Sequence, residues 1–256
     1  MIGIFDSGIG GLTVVKELIK ELPTFDFVYF GDTARTPYGN KSNETIERYA
    51  REDVDFLLKQ GAKLIIVACN SASTMFINGL KKEYDVPIFE VITPAVEEAV
   101  RISKNKKVGV IGTRATVNNN VYEQLIKLQD GKMQVHHQAC PLLVPLVEEN
   151  WIAKPETRMI LRKYLAPLKQ KQIDTLILAC THYPLLREII KHKAGSRVKL
   201  VDPAQATINK VKRYIADSKI NLPQNSKRQY FVSDLTPHFR TVAERWLKEK
   251  VELKKI

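Results

Sequence analysis

Two stretches of this chain end the same way. Lys63 to Ser73 (KLIIVACNSAS) and Thr175 to Pro184 (TLILACTHYP) each carry a short apolar, β-rich run into a cysteine and then into polar residues, so Cys69 and Cys180 stand at matching points. Such a run, closed by polar residues and followed by a helical pattern, predicts a buried strand entering a helix N-terminus with the thiol on the turn. The match continues upstream, where Ile2 to Thr13 (IGIFDSGIGGLT) has a weaker counterpart in Val108 to Thr116 (VGVIGTRAT). Gly3 precedes Cys69 by nearly the span that separates Gly109 from Cys180. A repeat constrains architecture before any local motif does. This one predicts two similar halves, each offering one thiol to a site between them.

Strand-like runs fall near residues 2–5, 26–30, 63–68, 87–91, 107–111, 133–137, 174–179 and 197–201, with helical patterns between most of them, including Thr45–Gln60, Val117–Gln129 and Met159–Lys169. Alternating strands and helices predict right-handed βαβ units and mostly parallel sheets. The fold class is therefore α/β: two pseudo-symmetric, mostly parallel-sheet domains with the active site in the cleft between them. Boundaries are expected at Val91–Pro94 and at Leu200–Ala204. The last fifty or so residues fit no third repeat and are expected to pack back on the first half. The domains are then 1–92 plus 205–256, carrying Cys69, and 93–204, carrying Cys180.

Composition narrows the function. At 256 residues with 44% hydrophobic and 8% aromatic residues the chain has an ordinary globular make-up. It contains no 18-residue apolar stretch and opens directly on a strand without a basic leader, so a cytoplasmic protein with no membrane partner is expected. The three cysteines are odd in number and widely spaced, which argues against a disulfide framework and leaves metal or thiol chemistry. Cys180 and His182 with His136, His137 and Cys140 are the only metal-ligand collection worth testing, and their spacing matches no common zinc pattern. No metal is expected, and Cys140 reads as structural. The net charge of +12 raises nucleic acid as a partner. From Ala206 to Ile256, however, 12 Lys/Arg mix with 5 Asp/Glu in helix-like runs such as Thr241–Lys250, which reads as a solvated helix face. Nucleic acid is not expected.

The thiols carry the chemistry. In parallel α/β sheets ligands sit at the carboxyl ends of strands, where both cysteines are predicted. Backbone N–H groups at a helix start would lower a thiol pKa and favour a bound carboxylate, making each cysteine a usable base at neutral pH. A cysteine hydrolase needs one nucleophile; a symmetrical pair suits a reaction whose two directions are alike. In racemisation one group removes the proton from a stereocentre and another returns one to the opposite face, the two exchanging roles between directions. Asp6 and Ser7 would lie near Cys69, and His182 could hold or relay the Cys180 proton. Glu148 closes an apolar run, a setting that raises a carboxyl pKa. The plainer alternatives are that Asp6 caps the helix starting near Gly10, that His182 caps its own helix and that Glu148 is a surface residue. Gly31 to Gly39 (GDTARTPYG) is placed like a substrate loop. Gly8 to Gly11 lacks both dinucleotide and P-loop spacing and reads as a tight turn bringing N–H groups to a small anion.

Five blocks, Phe5 to Thr13 (FDSGIGGLT), Gly31 to Gly39, Ala68 to Ser73 (ACNSAS), Pro141 to Glu148 (PLLVPLVE) and Ala179 to Leu186 (ACTHYPLL), together resemble bacterial glutamate racemases of the aspartate/glutamate racemase superfamily. The blocks occur in the family's order and cover most of the chain. The resemblance implies cofactor-independent, two-cysteine interconversion of L- and D-glutamate, supplying D-glutamate for peptidoglycan synthesis, cell-wall biogenesis and cell shape, by a cytoplasmic homodimer. It implies that Cys69 acts on the D-enantiomer and Cys180 on the L-enantiomer. Asp6, Asp32, Glu148 and His182 match supporting acid–base or orienting positions. Asp6, Ser7, Tyr38, Gly39, Asn70, Ser71, Thr181 and His182 match substrate contacts, with Thr113 and Thr116 as further contributors. Ser71 departs from the more usual Thr but keeps the hydroxyl; Ile9 stands where Val is more usual. The nearest rival is an aspartate racemase, since one methylene gives only about 1–3 kcal/mol of discrimination. A rival of another class is a basic binding module in which the thiols are incidental.

Overall fold

A computed structural model of the chain describes residues 1–256, the side chain of His238 excepted. Ten strands form two sheets. The first contains β1 (Ile2–Asp6), β2 (Phe27–Gly31), β3 (Leu64–Val67), β4 (Ile88–Glu90), β9 (Arg228–Val232) and β10 (Leu253–Lys255) in the order β10-β9-β2-β1-β3-β4. The second contains β5 (Lys107–Gly112), β6 (Gln134–Ala139), β7 (Thr175–Ala179) and β8 (Lys199–Val201) in the order β6-β5-β7-β8. Every pairing is parallel. The repeat is visible in the topology: β2-β1-β3-β4 and β6-β5-β7-β8 are the same arrangement, and the two cysteines follow the equivalent strands β3 and β7. All eight strand-like runs read from the sequence are strands within a residue or two of the expected ends.

The central strands read as continuous apolar runs because helices cover both faces of a parallel sheet. β1, β3 and β7 are buried along their whole length. The helices are α1 (Leu12–Glu21), α2 (Asn43–Lys59), α3 (Asn70–Ile77), α4 (Ile92–Ile102), α5 (Arg114–Asn118), α6 (Val121–Gln129), α7 (Leu143–Glu148), α8 (Pro155–Gln170), α9 (Arg187–Ala194), α10 (Pro203–Asp217) and α11 (Pro237–Leu247). The single helix expected over Val117–Gln129 is two, because Asn120 takes a left-handed conformation (φ 54°) that ends α5 and starts α6. The sequence reading missed β9 and β10, whose flanking charges dilute the apolar pattern. β9 adds to the edge of β2 and β10 to β9, so the C-terminal segment extends the first sheet.

The chain passes from the first sheet to the second through α4 and returns through α10, which packs against α1 and α4. One apolar cluster contains residues of both sheets, among them Ile4, Ile66, Leu176 and Leu178. The basic tail is laced with acids: Lys210 to Glu97 (2.6 Å), Lys212 to Glu21 (2.9 Å), Arg228 to Glu249 (3.1 Å) and Lys255 to Asp234 (2.7 Å). Such solvated pairs contribute about 1 kcal/mol or less each. Among the described residues no helix is long and apolar enough to cross a membrane.

The return helix α10 starts on a side-chain cap, Asp202 accepting from the Ala204 N–H at 3.0 Å with Pro203 in the first turn. Asp202→Ala is expected to cost about 1 kcal/mol of stability, read as a lower urea midpoint at unchanged slope.

Candidate active site

Cys69 follows β3 as the N-cap residue of α3, and its Sγ donates to Ser7 Oγ at 3.5 Å on the turn after β1. Cys180 follows β7, but a 3₁₀ turn at Tyr183–Leu186 comes next, so this thiol does not sit on a helix N-terminus as expected. Its surroundings are supplied by side chains instead. Cys180 Sγ lies 3.8 Å from His182 Nδ1, and His182 Nε2 lies 2.9 Å from Glu148 Oε1 at the end of α7. His182 is buried and makes no capping hydrogen bond, while the Glu148 side chain is about one-third exposed. Asp6, buried at the end of β1, accepts from the Gly8 N–H at 3.1 Å and from Thr181 Oγ1 at 3.5 Å.

Electrostatics separates the two thiols. Burial, with the nearby Asp6 charge, pushes Cys69 up to about 12, against the pull of Ser7 and the Ala72 N–H. That corrects the expectation of a lowered pKa: the helix-start amides are present, but desolvation outweighs them. Burial also raises Asp6, opposed by the His182 charge and the Gly11 and Gly8 amides. For His182 burial acts downward, and the hydrogen bonds and charges of Cys180 and Glu148 overcome it, holding the imidazole at about 10. At neutral pH the site therefore holds an imidazolium beside Cys180 and a protonated thiol at Cys69.

The two halves meet across this site. Thr13 Oγ1 on α1 donates to the Thr181 carbonyl at 2.9 Å. Ser71, Thr113 and Thr116 close a triangle of hydroxyls at 3.1, 3.2 and 3.0 Å. Tyr122 on α6 donates to Asn70 Oδ1 at 2.6 Å, which leaves the Asn70 amide nitrogen free to serve a ligand. Gly10 must lack a side chain, because a Cβ there would lie 2.1 Å from Thr181 Oγ1 and 2.6 Å from the His182 ring.

Ser7, Gly39, Cys69, Asn70, Ser71, Thr113, Cys180, Thr181 and His182 line one cavity, whose wall Thr36, Pro37 and Val144 complete. Its volume is about 30 Å³, room for a water or two and too little for an amino acid, so ligand entry requires the walls to part. Asp6, Asp32, Tyr38, Thr116 and Glu148 are not in the lining. Asp32 accepts from Tyr38 Oη (2.5 Å), Arg35 Nε (2.5 Å) and Ser233 Oγ (2.8 Å), and Tyr38 also reaches Asp53 at 2.9 Å. The single Tyr38 hydroxyl proton is shared between two carboxylates, and burial with the Asp32 charge pushes Asp53 well up against the pull of Tyr38 and Arg35. This network ties the Gly31–Gly39 loop to α2, and with it Gly39 to the cavity. The sequence reading did not find Asp53 or Tyr122, which bear no motif and act through other residues. Nor does the fold collect the histidines and cysteines considered for metal: among the described residues no cluster of three or more His, Cys, Asp or Glu could hold an ion.

Two cysteines from equivalent strand ends thus line one cavity of an α/β protein. The sequence profile of the Asp/Glu/Hydantoin racemase family matches residues 11–211. The glutamate racemase of Geobacter metallireducens is 43% identical over 252 residues, 98% of this chain and 93% of its own. Among solved structures, the glutamate racemase isoform RacE1 of Bacillus anthracis superposes with a TM-score of 0.95 at 35% identity, covering 100% of this chain and 97% of that one. The Francisella tularensis glutamate racemase, solved with D-glutamate, gives 0.92 at 36% identity, covering 100% and 96%. The chain belongs to the Asp/Glu/Hydantoin racemase family, and it is an isomerase.

The His182 environment has a consequence for stability. Its folded pKa, about 10, exceeds the ordinary 6.5, so the stabilisation it brings is fully present below about pH 6.5 and is lost as pH rises through 10. The stability gap between wild type and His182→Asn, from urea unfolding at several pH values, is expected to be widest near pH 6 and to shrink steadily toward pH 10.

Proposed function

We propose that the protein interconverts L- and D-glutamate by moving the α-proton between two thiols, without metal or pyridoxal cofactor. The observation that carries the reading is that Cys69 and Cys180, from equivalent strand ends of the two halves, line one cavity. Cys180 removes the proton from L-glutamate while Cys69, which rests as a thiol, delivers its own to the opposite face; the D-enantiomer reverses both roles. After a turnover from L-glutamate Cys180 carries an extra proton and Cys69 lacks one, so each thiol needs a group that exchanges a proton with it. His182, held by Glu148, serves Cys180, and Asp6, with its raised pKa, serves Cys69 through the neighbourhood of Ser7. The substrate's ammonium group brings a positive charge to a buried site, which favours ionisation of Cys69 when it must act as base. Asn70, Ser71, Thr113 and Thr181 hold the carboxylates, and Gly39 closes the loop over them. Asp32, Tyr38 and Thr116 act one step back, by holding the groups that line the cavity.

Entry of the substrate separates two domains, 1–92 with 205–256 and 93–204; the membership of the strands in two sheets supports this division. The product serves peptidoglycan synthesis in the cytoplasm, and the enzyme works as a homodimer, readings that rest on family likeness. The choice of glutamate over aspartate rests on close similarity to glutamate racemases along nearly the full chain.

Purified protein in EDTA, with no added cofactor, should bring the circular dichroism of L-glutamate to zero while leaving L-aspartate unchanged. Decay of aspartate alone would reassign the substrate. Cys69→Ser and Cys180→Ser are each expected to lower kcat/KM about a thousandfold with the fold intact, and near-normal activity of either would sink the two-thiol mechanism.

A further inference from the structure

The C-terminal helix α11 lies outside the family profile's match, and its mixed charges form a solvated face. Its opposite face is apolar. Val242, Ala243 and Trp246 are buried, and α11 packs against α1. Trp246 reaches the site: its ring lies edge-to-face with His182, centroids 5.7 Å apart and planes at 90°.

Hydrogen bonds alone do not fix His182. Its two nitrogens face Glu148 Oε1 and, on the other side, Cys180 Sγ and Thr181 Oγ1. The Nδ1-side contacts, 3.8 Å to Cys180 and 3.5 Å to Thr181, are long, so they hold the ring's rotation about its Cβ–Cγ bond only loosely. Glu148, one-third exposed, is a yielding anchor for that rotation. Gly10 backs the Cε1–Nδ1 edge of the ring, and an aromatic ring set at right angles supplies a rigid second wall that also keeps water away. We propose that Trp246 is a positioning residue for racemisation, holding the His182 ring at the angle that serves Cys180. This rests on the two-thiol reading above and adds to it a residue from the far end of the chain.

The test separates positioning from mere structure. Because free L- and D-glutamate have equal energy, kcat/KM must fall equally in both directions whatever is damaged. Isotope effects are not so bound. If Trp246 serves the Cys180 half-reaction, Trp246→Leu, which keeps apolar bulk without a ring, slows that proton transfer alone. It should lower kcat/KM about tenfold, raise the isotope effect of α-deuterated L-glutamate and drive that of α-deuterated D-glutamate toward one. Trp246→Phe, which restores a ring, should stay within about twofold of wild type with wild-type isotope effects. Lower activity with both isotope effects unchanged would mean a loss of folded protein only and would overturn the proposal, as would unchanged activity in Trp246→Leu. Cys180→Ser, run beside them, keeps the two ideas apart. An active Cys180→Ser breaks the two-thiol reading itself, whereas an inactive one with unmoved isotope effects in Trp246→Leu leaves that reading standing and removes Trp246 from it.

Discussion

The close approach of Gly10 to the Thr181–His182 turn sets the distance between the two halves, and the site depends on that distance. No side chain fits there, so the turn after β1 lies directly against the turn after β7, and Thr13 fastens the contact through the Thr181 carbonyl. A thiol from either half can then line one small cavity. The same approach puts the Asp6 carboxyl within reach of Thr181 and brings the His182 charge to bear on Asp6. A larger residue at position 10 would spread the strand ends and loosen every polar contact across the seam, since packed interiors transmit displacement rather than absorb it.

That seam is closed mainly by hydroxyl and amide groups: the Ser71–Thr113–Thr116 triangle, Tyr122 to Asn70, and Asn119 to Thr74 at 3.0 Å. The choice of groups suits a site that must open. Hydroxyls and amides exchange one hydrogen-bond partner for water at a net cost near 1 kcal/mol each, whereas parting an equally extensive apolar face would expose area at about 25 cal/mol per Å². The apolar cluster shared by the halves lies behind the seam, where it can act as the fixed side of the movement.

Most of the scaffold and the centre of the site were legible in the sequence because they are local. A buried parallel strand is a short apolar run and a thiol at its end is adjacent in sequence, so Cys69, Cys180 and the turn residues beside them could be read directly. Asp6 and His182 were legible as positions, while their partners were not, since those come from elements far along the chain. Asp32 and Tyr38 sat in a recognisable loop but face α2, because Arg35 and Asp53 draw them there. β9 and β10 escaped notice because edge strands carry charge, and Trp246 because half of its helix is solvated. The Cys69 pKa was misjudged for a different reason: helix-start amides are visible in a sequence, and the depth of burial that outweighs them is not.

A duplicated scaffold does not require duplicated chemistry. Cys69 is paired with a hydroxyl and a buried carboxyl, and Cys180 with an imidazolium that a one-third-exposed carboxylate holds, so the two thiols differ in charge environment although their strands match. For a racemase this difference is free to exist. The equality of the enantiomers fixes the ratio of the two kcat/KM values at one, and any asymmetry in the site must divide between kcat and KM in each direction without changing that ratio. Under the proposed mechanism the two half-sites can therefore differ, one exchanging its proton with Asp6 at the end of β1 and the other with His182 and Glu148. What that mechanism requires of both is geometric, two sulfurs reaching one carbon from opposite faces, and the close approach of Gly10 to the Thr181–His182 turn favours it.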